Sequence, residues 1–234
     1  MMMTRNHPLN ILICDDHIAV HESISAYLQA EHMEFASAFN GKQALLMLEK
    51  GKFDLVILDI MLPGLFGTEV CRQIRMSSTI PIIMLSAKGE EMDRITGLEL
   101  GADDYITKPF SPREVIIRIK TILKRTHYAP APQAELLQAG KMTINPNTQE
   151  VYIEEQRIEF TVKEIELLTL FLYNKGKILS REQILNKVWG YDYPGDTRAV
   201  DHLIKRIRKK FPKEPAGFEI KSIYGMGYKL ETVL

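Results

Sequence analysis

Apolar and polar positions change rhythm once along this chain. From residue 10 to 125, short unbroken apolar runs alternate with stretches of helical spacing. Asn10–Cys14 is such a run and ends at Asp15-Asp16, as a strand buried on both faces of a parallel sheet does. Residues 34–38, 55–58, 81–85 and 105–107 supply four more predicted strands, the third ending at Asp59 and the fourth at Ser86. Helical spacing occupies 20–30, 41–49, 68–75, 90–100 and 111–125. Gly101 stops the fourth of these helices, and Ser111 with Glu114 opens the last as a capping box. Five strands, each followed by a helix, predict an α/β doubly wound five-stranded parallel sheet.

Residues 126–133 (THYAPAPQ) carry no periodicity and read as a short extended linker. Beyond it come alternating strands at 142–144, 150–153 and 157–159, and helices at 162–173, 181–188 and 198–210. A hairpin of 218–223 and 228–230 turns at Gly225-Met226-Gly227. This half is α+β. The expected division is a first domain over 1–125, a linker over 126–133 and a second domain over 134–234.

Composition narrows the picture. At 234 residues, two domains of ordinary size can each bury a core. The formal net charge is zero, so any nucleic-acid surface must be a local patch. The two cysteines, Cys14 and Cys71, lie in apolar segments and read as reduced core residues. No apolar run approaches the roughly 20 residues of a membrane span. Residues 1–7 lack the apolar stretch of an export signal, which makes the cytoplasm the expected location and a membrane partner unexpected.

Candidate chemistry collects at strand ends: Asp15 and Asp16 after the first, Asp59 at the third, Ser86 at the fourth, Lys108 after the fifth. Open parallel sheets bind ligands at the carboxyl ends of their strands, so these scattered residues should converge. Three adjacent carboxylates repel one another unless a cation intervenes, and an all-oxygen set favours a hard ion such as Mg²⁺. Such a site suits phosphoryl transfer onto Asp59, with the metal and Lys108 offsetting charge on the phosphoryl oxygens and Ser86 bonding them. Taken singly, each residue is a turn, a cap or a surface charge; their joint placement carries the reading.

Asp15-Asp16, LDIMLPG around Asp59, Ser86-Ala87-Lys88 and GADDYITKPF resemble the receiver domain of two-component response regulators, a flavodoxin-like fold. With the second half included, the resemblance is to the OmpR/PhoB family over nearly the whole chain. It implies that Asp59 accepts phosphate from a sensor histidine kinase. Asp16, Asp59 and the Met61 carbonyl would bind Mg²⁺, Asp15 would assist through water, and Ser86 with Tyr105 would form the switch pair. Two positions depart from the pattern: His17 stands where Glu is common, and Phe66 where Asp or another small or polar residue is common. The resemblance also implies a homodimer formed on phosphorylation through the last two helices and fifth strand of the receiver. By position, Arg94 would pair with Glu114, Asp104 with Arg118, and Asp103 with Arg125 across it.

In the second half, RAVDHLIKRIRKK places Val200, Leu203, Ile204 and Ile207 on one stripe, and the other faces are basic except at Asp201. Between a helix and a hairpin, such a helix suits the major groove of double-stranded DNA in a winged helix-turn-helix. The resemblance implies that Arg198, Ala199, His202, Leu203, Lys205, Arg206 and Arg208 sit at or near DNA, with Ser222 and Tyr228 on the wing. Leu203 replaces a common His, and Tyr224 a common Arg. Trp189 either packs on the sugar-phosphate backbone or anchors the core. Residues 190–197 match the loop through which family members touch RNA polymerase. Two other readings stand beside this one. An aspartyl phosphatase would need a general acid where Met61 stands. A regulator could also dimerise and bind DNA without phosphorylation.

Overall fold

The computed structural model describes residues 8–87, 101–126, 136–190, 197–212 and 216–233. The chain divides into two units, Met1–His127 and Tyr128–Leu234. In the first, β1 (Asn10–Cys14), β2 (Glu34–Ala38), β3 (Leu55–Asp59), β4 (Ile82–Ala87) and β5 (Asp104–Lys108) form one sheet in the order β2-β1-β3-β4-β5. All of its pairings are parallel. The helices are α1 (Ile18–Ala30), α2 (Gly41–Lys50), α3 (Gly67–Arg75) and α4 (Pro112–Thr126). The helix expected at 90–100 and most of the expected linker lie outside the described residues; Thr126 ends α4.

Why the strands read as unbroken apolar runs is plain in the packing. Ile11, Ile13, Ile57, Leu85 and Ile106 face α1 and α4 and pack with Ile24, Leu28, Val115 and Ile119. The alternate residues Leu12, Cys14, Leu58, Met84 and Tyr105 pack on the other face with Ala44, Val70 and Ile74 from α2 and α3. Successive strand side chains point to opposite faces. The edge strand β2 is partly exposed and carries Ser37. In β1, β3 and β4 both faces are covered, so polar side chains there stand only toward the strand ends. Polar chemistry is thereby pushed to the carboxyl edge. Both cysteines are free and buried, as expected.

The second unit has an antiparallel sheet of β6 (Leu137–Ala139), β7 (Met142–Asn145), β8 (Glu150–Ile153) and β9 (Gln156–Ile158). Three helices follow, α5 (Val162–Tyr173), α6 (Arg181–Val188) and α7 (Arg198–Lys210), then a hairpin of β10 (Phe218–Ile223) and β11 (Gly227–Thr232). β6 was not anticipated from the sequence. Glu164, buried at the start of α5, accepts the Thr161 N–H at 2.8 Å and pairs with Lys210 at 2.6 Å and Arg206 at 3.4 Å. One acid thus ties the first turn of α5 to the basic helix. Leu179 and Tyr228 exchange backbone hydrogen bonds of 2.8 and 2.9 Å, which fastens the hairpin ahead of α6.

Gly67 opens α3 directly behind Asp59: its N–H donates to the Ile60 carbonyl, and a Cβ there would lie 1.9 Å from the Asp59 carbonyl oxygen. Gly67→Ala must move backbone, and overpacking of this kind costs about 1–3 kcal/mol. Urea unfolding of the variant should report a loss in that range or larger, with the strand carrying Asp59 displaced.

Candidate functional site

The strand order brings the ends of β1 and β3 side by side, with β5 closing from beyond β4. Lys108, the last residue of β5, reaches across to both acids: its Nζ lies 2.7 Å from Asp15 Oδ2 and 2.9 Å from Asp59 Oδ2. Asp15 and Asp59 are buried, while Asp16 and His17 lie at the exposed rim. The Asp15 Oδ1 atom accepts the His17 N–H at 2.9 Å, and His17 Nδ1 lies 2.7 Å from Asp16 Oδ1. Asp15, Asp16, His17 and Asp59 each offer one ligand atom within 4.8 Å of the others. Asp15, Asp16, Asp59 and Lys108, spread along the chain, thus converge as expected.

Burial pushes the Asp59 carboxyl above its ordinary value; the hydrogen bond and charge of Lys108 pull against this, while Asp15 adds to it. Burial alone would lower the Lys108 ammonium, but its hydrogen bonds to Asp15 and Asp59 leave it raised and charged. Cys14 beneath them is pushed up to about 12, first by burial and then by Asp15, Asp59 and Asp16, so it stays a thiol. The Ser86 hydroxyl is buried with no hydrogen-bond partner among the described residues, an orphan that a phosphoryl oxygen would satisfy. Tyr105 is 2% exposed and packs in the core beneath the sheet. Met61 is half exposed beside Asp59.

A neutral-to-acidic oxygen set with one fixed ammonium can hold a divalent cation and an anionic group together. Sequence reasoning missed a further support. His21, on the inward face of α1 with Ile24 and Leu28, is 4% exposed and lies 2.8 Å from the Asp15 carbonyl and 2.9 Å from Ser37 Oγ. It also stacks on Phe39, with ring centroids 4.5 Å apart. Its spacing one turn before Ile24 was the available signal.

The charged positions expected at a dimer surface separate. Glu114, Asp104 and Arg118 lie together, Arg118 sitting 3.3 Å from Asp104 and 3.4 Å from Glu114 within the same chain. Asp103 departs from the expectation. It is fully buried, takes Arg75 at 2.8 Å and accepts the Ile82 N–H at 3.0 Å, so its carboxylate holds the start of β4 instead of facing outward. Arg94 and the side chain of Arg125 lie outside the described residues.

In the second unit the basic helix divides its residues. Arg198, Lys205, Arg208 and Lys209 are exposed, and His202 is partly so. Ala199 and Leu203 are buried with Val200, Ile204 and Ile207, which removes them from any DNA-facing set. Arg206 is turned toward the buried Glu164 instead of outward. Trp189 is 7% exposed, with the Lys163 ammonium 5.6 Å from its ring centre, and so occupies the core. Tyr228 is also buried: its hydroxyl donates to Asp201 at 2.7 Å, and the Arg181 guanidinium lies 5.0 Å from its ring. Arg208 reaches the wing, bonding the Ile220 carbonyl and Ser222 Oγ, the latter at 3.1 Å. Most of the loop over 190–197 lies outside the described residues. Among the described residues no helix is long and apolar enough to cross a membrane.

Comparison with known proteins gives this geometry a lineage. Residues 11–120 match the response regulator receiver domain, and residues 155–230 the C-terminal domain of transcriptional regulatory proteins. The alkaline phosphatase synthesis transcriptional regulatory protein PhoP of Bacillus subtilis is 44% identical, covering 94% of this chain and 96% of its own. The transcriptional regulatory protein ResD of the same organism is 40% identical, over 98% and 99%. The crystal structure of DrrB, a Thermotoga maritima OmpR/PhoB homologue, is 32% identical with a TM-score of 0.51, covering 96% of this chain and all of that one. The fold, the strand-end acids and these relatives agree: the chain belongs to the OmpR/PhoB family of two-component response regulators, transcription regulators with a receiver and a DNA-binding domain.

Proposed function

We propose that Asp59 is the phosphoacceptor of this regulator and that its phosphorylation drives receiver pairing and sequence-specific DNA binding. The observation that carries this is the Lys108 ammonium held between Asp15 and Asp59. In the transfer, an Asp59 carboxylate oxygen bonds phosphorus as the phosphorus–nitrogen bond of a kinase phosphohistidine breaks and the imidazole leaves with the electron pair. Lys108 opposes the rise that burial imposes on the Asp59 carboxyl, and afterwards it neutralises the phosphoryl group in place of the lost carboxylate charge. Ser86 donates to a phosphoryl oxygen, and its movement draws on Tyr105. Asp16, Asp59 and the Met61 carbonyl would hold Mg²⁺, with Asp15 bonding through water. When bound, that ion would offset charge on the phosphoryl oxygens.

Glu114 and Arg118 form the receiver pairing surface, with the buried Asp104 holding Arg118 and with Arg94 and Arg125 as further partners. A two-fold interface repeats each ion pair, so these residues set register more than they supply affinity. Arg198, His202, Lys205, Arg208 and Ser222 form the DNA face, mostly as phosphate contacts. The loop over 190–197 meets RNA polymerase, and the protein works in the cytoplasm.

Three outcomes follow. Incubation with acetyl phosphate and Mg²⁺ should raise the intact mass of the wild type by one phosphoryl group and leave Asp59→Asn unchanged; an equal gain in both would place the acceptor elsewhere. Lys205→Ala should weaken binding to operator and random duplex alike and lower the salt slope by roughly one. Leu203→Ala should instead cost about 2–5 kcal/mol of folding stability, because it empties a buried site. Fluorescence anisotropy across a salt series and urea unfolding distinguish the two.

A further inference from the structure

The residue after the acid pair is His17, and its side chain does something a Glu there would not. It occupies the N-cap of α1 in extended conformation (φ −94°, ψ 115°), yet makes no capping hydrogen bond to the helix. Its N–H instead anchors to Asp15 Oδ1, and its ring turns inward over the acids. The Nδ1 atom stands 2.7 Å from Asp16 Oδ1 and 3.4 Å from Asp15 Oδ1, while the side chain is 70% exposed. The ring therefore forms part of the rim of the pocket and keeps access to solvent.

The 3.4 Å spacing is that of neighbouring ligands on one cation, while the 2.7 Å contact with Asp16 is a hydrogen-bond distance that opens by a few tenths of an ångström when both atoms ligate. Two donor atoms each about 2.1 Å from a metal lie about 3.0 Å apart at a right angle and about 3.4 Å apart at a tetrahedral angle. The whole set of Asp15, Asp16, His17 and Asp59 spans 4.8 Å. Atoms on opposite sides of one ion lie about 4.2 Å apart, so the set needs to close by roughly half an ångström. Oxygen donors alone favour Mg²⁺, whereas an imidazole nitrogen shifts preference toward first-row transition-metal dications.

We propose that His17 is a ligand of the receiver's cation, through Nδ1, and that it makes this site prefer a transition-metal dication to Mg²⁺. This rests on reading the acid pocket as the metal site and assigns its selectivity to a residue of this chain. His21 cannot substitute, because both of its ring nitrogens are already engaged by Asp15 and Ser37.

The test uses the full chain, with Co²⁺ and Mg²⁺ titrated separately by calorimetry into wild type, His17→Glu and Asp16→Asn. Mn²⁺-loaded samples are then examined by pulsed electron paramagnetic resonance. Wild type should bind Co²⁺ ahead of Mg²⁺ and show nitrogen coupling to Mn²⁺. His17→Glu should lose the coupling and at least about tenfold of the Co²⁺ preference while keeping Mg²⁺ binding. Equal preference in wild type and His17→Glu, without nitrogen coupling, would overturn the role of His17 and leave the metal site standing. Failure of wild type to bind either ion, or binding undiminished in Asp16→Asn, would overturn both.

Discussion

The repulsion between buried carboxylates, answered by a single ammonium, is the constraint around which the receiver is organised. Lys108 lies between Asp15 and Asp59, and its hydrogen bond and charge oppose the upward push that burial gives the Asp59 carboxyl. That ammonium arrives from the fifth strand, so the pocket exists only when β1, β3 and β5 are all in place. Other residues fix its parts. His21 holds the carbonyl of Asp15, and Gly67 lets α3 approach the backbone of Asp59. Ser86 keeps a buried hydroxyl unsatisfied. The pocket thus joins charged groups to a buried hydroxyl that has no partner among the described residues.

A comparable economy governs the second unit, where a buried acid does the fastening. Glu164 takes Lys210 and Arg206 from α7, and Asp201 takes Arg181 and the Tyr228 hydroxyl. Much of the positive charge on the basic helix is therefore spent inside the domain, setting the helix against α5, α6 and the hairpin. Arg208 faces outward but also bonds the wing through Ile220 and Ser222. The positive charge this helix leaves exposed is narrower than the count of Lys and Arg suggests, and it lies on Arg198, Lys205, Arg208 and Lys209.

Burial on both sheet faces explains why β1 was legible residue for residue, and apolar positions at helical spacing explain the same for the three helices of the second half. Strand-end acids were equally legible, since open parallel sheets leave polar groups nowhere else to go. What escaped depended on partners distant in sequence. Asp103 reads as a surface charge until Arg75 is placed beside it. Tyr228 reads as a wing contact until Asp201 and Arg181 are seen to claim it. Leu203 belonged to the apolar stripe by its own spacing; the family resemblance put it at the DNA, and burial returned it to the core. His21 and His17 differ only by one helical turn, yet one supports the pocket from below and the other borders it from above.

The central interaction is the hold of Lys108 on the buried Asp59 carboxyl. Carbon-detected NMR titration of the Asp59 carboxyl in metal-free buffer measures this directly, in wild type and Lys108→Gln. Burial raises this group and Lys108 restrains the rise, so its midpoint should lie above that of an ordinary aspartate and move further up in the variant. An unchanged midpoint on loss of Lys108 would contradict the account.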